Sequence, residues 1–129
     1  MTYQALIVDD NPLNSDVLTQ LLKREGVSAA AVPRPSLINE TLDQVGHIDV
    51  VFLDFEFPNH SGLELISELR ADSRLSGAIF VAYTVHISEL NEARMAGFDS
   101  FLGKPLIPEK FPDQISRILA GERVWDVGQ

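Results

Sequence analysis

Val50-Val51-Phe52-Leu53-Asp54 is an apolar run that stops on a carboxylate. Three other runs stop in the same way on a chemically useful residue. Ala5-Leu6-Ile7-Val8 ends in Asp9-Asp10, Ala78 through Tyr83 ends in Thr84, and Phe101-Leu102-Gly103 ends in Lys104-Pro105. Short apolar runs of this kind read as buried strands. Helical patterns lie between them, and that alternation favours a parallel sheet with right-handed crossovers. In a parallel sheet the carboxyl ends share one edge, where open α/β folds bind ligands. The acidic pair, the carboxylate of Asp54, the Thr84 hydroxyl and the Lys104 ammonium then converge on one crevice. That set suits a divalent cation bound together with a phosphoryl group.

The elements between these ends follow from periodicity. Leu13, Val17, Leu18, Leu21 and Leu22 recur at helical spacing, with Asn11 or Asn14 available as cap and Gly26 as stop. A weak strand is expected from Ala29 to Val32, then a Pro33-Arg34-Pro35 turn and a helix from Ser36 to Val45. The third strand runs from Asp49 to Asp54. Ser61-Gly62-Leu63-Glu64 opens a helix through Arg70 with Leu63, Ile66 and Leu69 on one face. The fourth strand covers Ala78 to Tyr83, the fourth helix Ser88 to Ala96, and the fifth strand Ser100 to Leu102. Pro112 has no amide hydrogen to donate four residues back, so the last helix begins near Phe111 and ends at Leu119. Ile115, Ile118 and Leu119 face inward. The chain divides into a domain over residues 1–120 and a short tail over 121–129.

The bulk numbers agree with one domain. A chain of 129 residues buries roughly two-thirds of its unfolded surface. The 45% hydrophobic content is ordinary for a globular protein. No apolar stretch approaches the roughly 18 residues of a membrane span, and no basic-then-apolar leader opens the chain. The absence of cysteine excludes disulfides and thiolate-metal sites. A net charge of -9 argues against a broad nucleic-acid surface, so any output is expected through another protein.

Each motif also has a plainer reading. Asp9-Asp10-Asn11 serves equally as a turn and helix cap. Thr84 alone reads as a structural hydroxyl, Lys104 alone as a solvated surface lysine, and His86 as an exposed loop histidine. Asp54 is harder to dismiss, because a carboxylate straight after an apolar strand is partly desolvated and needs compensation. The joint pattern decides. Four separate accidents at the same end of four strands are far less probable than one site. Magnesium takes near-octahedral oxygen ligands from one or two carboxylates plus phosphate, and Asp9, Asp10 and Asp54 supply that set. An aspartate can itself attack phosphorus if the charge on the transferring group is neutralised. Magnesium and the Lys104 ammonium do that, and the Thr84 hydroxyl donates to a phosphoryl oxygen.

These residues, in this order, resemble the receiver domain of two-component response regulators. The matching stretches are Leu6-Ile7-Val8-Asp9-Asp10-Asn11, Asp54-Phe55-Glu56-Phe57-Pro58 with Ser61-Gly62-Leu63-Glu64-Leu65, Ala82-Tyr83-Thr84, and Ala96 through Pro105. They extend over residues 4–120. The resemblance implies a flavodoxin-like α/β fold, five parallel strands in the order 2-1-3-4-5 with five helices on both faces. It implies Asp54 as phosphoacceptor, and Asp9, Asp10, Asp54 and the backbone carbonyl of Glu56 as holders of Mg2+ or Mn2+. It makes Thr84 and Phe101 the switch pair and Lys104 the phosphate-contacting lysine. Phe57 stands where methionine is common, and Val85 where a small residue is common. Glu56, Val85 and His86 flank the site at positions that tune phosphate lifetime.

The implied donor is a sensor histidine kinase or histidine phosphotransfer protein. The implied output is a protein target, or a second copy, docking on residues 88–119, with no direct nucleic-acid or membrane contact. A cytoplasmic, stand-alone receiver is expected, one that transfers and loses its phosphate by itself and is not otherwise an enzyme. Trp125 and Val127 in the tail either fold back on the domain, join an interface, or pack loosely. Two rivals differ in class. A haloacid-dehalogenase-type phosphatase places its metal-binding acids after the nucleophile, whereas here they precede Asp54 by about 45 residues, and no cap domain fits. A phosphorylation-independent binding module on the same fold is the other.

Overall fold

Alternation along the apolar runs decides the layers. The structure is a computed structural model and describes residues 3–54, 56–57, 60–84 and 90–126, the side chains of 56, 57 and 60–63 excepted. Six strands build one sheet: β1 (Tyr3–Val8), β2 (Val27–Val32), β3 (Val50–Leu53), β4 (Ile79–Thr84), β5 (Ser100–Gly103) and β6 (Trp125–Asp126). Their spatial order is β2-β1-β3-β4-β5-β6, and every neighbouring pair is parallel. The connecting helices are α1 (Pro12–Arg24), α2 (Ile38–Val45), α3 (Gly62–Arg70), α4 (Leu90–Ala96) and α5 (Phe111–Leu119). A short antiparallel ladder between β3 and α3 pairs Glu56 with Ser61 and Phe57 with His60.

Successive strand residues point to opposite faces, so two cores form. Leu6, Val8, Val51, Leu53, Phe80, Ala82 and Phe101 pack against Ile38 and Leu42 of α2, Ile66 and Leu69 of α3, and Ala93 of α4. Ala5, Ile7, Val50, Phe52, Val81, Tyr83 and Leu102 pack against Leu18, Leu21 and Leu22 of α1 and Ile115 and Ile118 of α5. Both faces of β3 are buried, which is why its sequence reads as a continuous apolar run rather than an alternating one.

The order 2-1-3-4-5 stands, but the expected count of five strands is corrected to six. The tail returns beside β5, where Trp125 pairs with Phe101 and Asp126 with Leu102. Val124 anchors it from the α1/α5 core. The Trp125 ring stacks on Phe101 with centroids 6.3 Å apart and planes 18° from parallel. Of the alternatives for Trp125, folding back on the domain is the one observed; Val127 lies outside the described residues. The start of the fourth helix, expected at Ser88, also lies outside them.

Helix α1 shows how caps and packing divide the work. Asn11, not Asn14, caps it: the Asn11 Oδ1 accepts from the backbone N–H of Leu13 at 2.9 Å and of Asn14 at 3.4 Å. Pro12 occupies the first turn, where its missing N–H is no loss. The apolar stripe is wider than the buried face. Leu18, Leu21 and Leu22 are buried, whereas Leu13 is 73% and Val17 51% exposed. Urea unfolding should therefore rank three variants. Leu18→Ala is expected to lose about 2–5 kcal/mol, Asn11→Ala about 1 kcal/mol, and Leu13→Ala under about 0.5 kcal/mol.

Candidate functional site

Backbone hydrogen bonds hold the strand ends level. The Asp9 N–H donates to the Val32 carbonyl at 3.2 Å, the Asp54 N–H to Val8 at 3.0 Å, and the Lys104 N–H to Thr84 at 3.0 Å. Parallel pairing therefore delivers Asp9, Asp54, Thr84 and Lys104 to one edge of the sheet, as the strand-end pattern required. Asp10 follows Asp9, and one carboxylate oxygen from each of Asp9, Asp10 and Asp54 falls within 4.8 Å of the others. Asp9 and Asp54 are buried and Asp10 is exposed. At 7% exposure Asp54 has the desolvation its position after an apolar strand implied.

Lys104 crosses from the end of β5 to reach this cluster. Its Nζ lies 3.0 Å from Asp9 Oδ2 and 3.4 Å from Asp54 Oδ2, with the side chain only 8% exposed. It is no solvated surface lysine. On the way it passes 4.2 Å from the centroid of the Tyr83 ring, a cation–π contact under the ammonium.

Tyr83 is the residue that sequence reasoning missed. Its hydroxyl donates to Asp9 Oδ2 at 2.5 Å, while the Asn11 backbone N–H donates to Asp9 Oδ1 at 2.9 Å. Asp9 thus accepts from Tyr83, Lys104 and Asn11, and its orientation is set from three sides. Burial first, then the bond to Asp9 and the Asp9 and Asp54 charges, push the Tyr83 hydroxyl far above its ordinary range, so it stays a donor. The available signal was an aromatic hydroxyl one residue before Thr84. Alternation points it to the face opposite Thr84.

Thr84 and Phe101 are both fully buried. Phe101 is opposite Ala82 in the sheet, and Thr84 lies two residues beyond Ala82. Alternation therefore puts the Thr84 and Phe101 side chains on one face. Glu56 begins the short ladder just past Asp54, and its side chain lies outside the described residues, as do Val85 and His86 entirely.

Among the described residues, Asp9 and Asp54 face the Lys104 ammonium, and Asp10 brings a third carboxylate to the same cluster. At an effective dielectric near 20, two like charges within about 4.8 Å repel by roughly 3.5 kcal/mol or more. All three donors are hard carboxylate oxygens, which suit magnesium or manganese rather than softer metals. Asp9, Asp10 and Asp54 are the side chains that would hold such an ion.

Comparison with known proteins agrees with this geometry. The sequence model of the family described as "Response regulator receiver domain" matches residues 5–116. Stress response regulator protein 1 of Candida tropicalis is 34% identical over 108 residues, which are 81% of this chain and 40% of that protein. The polar-differentiation response regulator DivK of Brucella ovis is 28% identical over 121 residues, covering 92% of this chain and 98% of DivK. A CheY-like receiver domain from Methylobacillus flagellatus superposes with a TM-score of 0.80 at 30% identity, over 92% of this chain and 99% of that one. The chemotaxis response regulator CheY4 of Vibrio cholerae, at 21% identity and a TM-score of 0.77 over 92% of this chain and 99% of its own, shares the fold.

The clustering of three carboxylates predicts a linked effect on stability. Magnesium at a hundred times its dissociation constant should raise wild-type stability by about 2.7 kcal/mol, and Asp10→Ala should lose most of that gain. In chelator, Asp54→Asn should unfold at higher urea than wild type, since one buried negative charge is gone. Equal magnesium responses of wild type and both variants would contradict the site.

Proposed function

The chain belongs to the response regulator receiver domain family, and from that premise we propose that Asp54 accepts a phosphoryl group and that the loaded domain signals by protein contact. The observation that carries the reading is the placement of Asp54. It is a buried carboxylate with Lys104 at 3.4 Å and two further carboxylates in reach of a shared cation.

The transfer needs little covalent machinery from the protein. An Asp54 carboxylate oxygen attacks the phosphorus of a phosphohistidine, the O–P bond forms as the P–N bond breaks, and the imidazole leaves with the bonding pair. Catalysis is then positioning and charge neutralisation. Asp9, Asp10, Asp54 and the Glu56 carbonyl would hold Mg2+, which would neutralise charge on the phosphoryl oxygens. Lys104 contributes a further positive charge, its Nζ held by Asp9 so that it is already in place before the group arrives. Tyr83 keeps Asp9 in the orientation that does this. Hydrolysis reverses the loading, with water attacking phosphorus and restoring the Asp54 carboxylate. By the family resemblance, Glu56, Val85 and His86 are the positions that tune its rate. No external substrate is turned over beyond the donor, so the domain is a receiver with self-catalysed chemistry rather than an enzyme.

Output follows from the switch pair. A phosphoryl oxygen on Asp54 accepts a hydrogen bond from the Thr84 hydroxyl, Thr84 turns toward the group, and Phe101 follows into the space released. The change biases two pre-existing arrangements. The donor is a histidine kinase or histidine phosphotransfer protein, and the receiver of the signal is a protein target or second copy that docks on residues 88–119. An acidic chain of net charge -9 gains nothing from attraction to nucleic acid. Among the described residues no helix is long and apolar enough to cross a membrane.

Intact mass after incubation with a small-molecule phosphodonor and magnesium tests the acceptor directly. Wild type should gain one phosphate, Asp54→Asn none, and Lys104→Ala should label about 100-fold more slowly, the scale for losing one charge-stabilising donor. Equal labelling of wild type and Asp54→Asn, or labelling indifferent to chelator, overturns the reading. Amide chemical-shift changes on loading should concentrate between residues 88 and 119. Changes confined to residues 29–45 would refute the output surface.

A further inference from the structure

The C-terminal segment makes a set of contacts for which phosphoryl transfer has no use. The Val124 carbonyl accepts from the Phe101 N–H at 2.8 Å, and the Val124 N–H donates to Ser100 Oγ at 3.0 Å. Trp125 and Asp126 continue this as a strand on the outer side of β5. Gln114 Nε2 on α5 donates to Asp126 Oδ2 at 2.7 Å. The Trp125 ring is held between two groups: the Phe101 ring on one side and the Arg94 guanidinium of α4, 4.7 Å from its centroid. The segment is thus fastened to α4, β5 and α5, the three elements over which output is read.

Strand order gives this arrangement a direction. β5 lies between β4, which carries Thr84, and β6, which carries Trp125. A Phe101 ring that follows Thr84 toward Asp54 moves toward β4 and away from Trp125. The stack is then broken from the inside.

We propose that residues 122–126 form a displaceable cover on the outer edge of β5, and that loading of Asp54 releases it. This rests on the phosphoacceptor reading above. Release uncovers the backbone N–H of Phe101, the Ser100 hydroxyl, the Gln114 amide and the Arg94 guanidinium together. That surface suits an extended segment of a partner protein that adds a parallel strand to β5, with an aromatic side chain over Phe101 and an acidic one toward Gln114, as the cover itself does. Coupling between two sites is reciprocal. The cover therefore opposes loading by as much as loading opposes the cover.

Trp125 is the sole tryptophan of the chain, so fluorescence of the intact protein reads the cover directly. Phosphodonor plus magnesium should shift its emission to the red and increase acrylamide quenching in wild type and not in Asp54→Asn, with intact mass of the same samples giving the extent of loading. Trp125→Ala should bind beryllium fluoride with magnesium roughly fivefold more tightly or better than wild type, followed by fluorine NMR, since ordinary couplings begin near that factor. Stoichiometric loading with unchanged or more protected Trp125 overturns the proposal, as does equal beryllium fluoride affinity. Phe101→Leu separates the two readings. If wild type takes up no phosphate while Phe101→Leu exposes Trp125, the acceptor reading and release by loading fall, and the attachment of the segment through Phe101 stands. If Trp125 stays protected in Phe101→Leu, the stack is not what holds the segment and the cover falls.

Discussion

The buried pair of Lys104 and Asp9 is the constraint on which the carboxyl edge of the sheet depends. These residues sit at the ends of β5 and β1, with β3 and β4 between them. A lysine that spans this distance places its ammonium over the Tyr83 ring and beside Asp54 at the same time. Two buried carboxylates need such a partner, because an uncompensated charge in the interior is costly. One ammonium fixes the orientation of Asp9 and faces Asp54, while Asp10 adds a third carboxylate to the cluster. The positive charge at this edge is thus already fixed in position. Preorganised charge of this kind is usually the largest single contribution where charge develops on a transferring group.

Much of this was legible because the informative residues sit at strand ends. The apolar runs before Asp9, Asp54, Thr84 and Lys104 are short, buried on both faces and bounded by helical segments, so their number and direction follow from pattern alone. Once the strands are parallel, the shared edge follows from geometry. What was not legible is what depends on contacts between distant parts of the chain. β6 has two residues, too few for a period to register, and it exists because Phe101, Arg94, Ser100 and Gln114 hold it. Tyr83 read as the last residue of an apolar strand, and only the position of Asp9, 74 residues earlier, makes its hydroxyl a donor that orients that carboxylate. Leu13 and Val17 fit the helical repeat of α1, yet periodicity gives the width of an apolar stripe and not how much of it a neighbour covers.

The two faces of β4 divide the work of the site. Tyr83, on the α1/α5 side, binds Asp9 and so belongs to the ground-state frame. Thr84, on the other side, shares its face with Phe101. One strand end thus carries two hydroxyls back to back, one bonded to Asp9 and one on the face of Phe101. Because a close-packed interior is not continuously deformable, the proposed displacement of Thr84 would be resolved as a change between discrete side-chain arrangements.

Phe101 is where such a change must be absorbed, since it is fully buried with β4 on one side and the tail on the other. A stacked aromatic pair is worth about 0.5–1.5 kcal/mol beyond the area it buries, and an exposed cation over a ring about 0.5–1 kcal/mol. Those magnitudes are of the same order as an allosteric coupling of 1–3 kcal/mol. The contacts of a two-residue strand are therefore of a size compatible with the proposed displacement. A longer, better-paired sixth strand would lock β5 in one arrangement and make the switch unresponsive. A tail with no aromatic contact would leave the state of Phe101 unconnected to the surface.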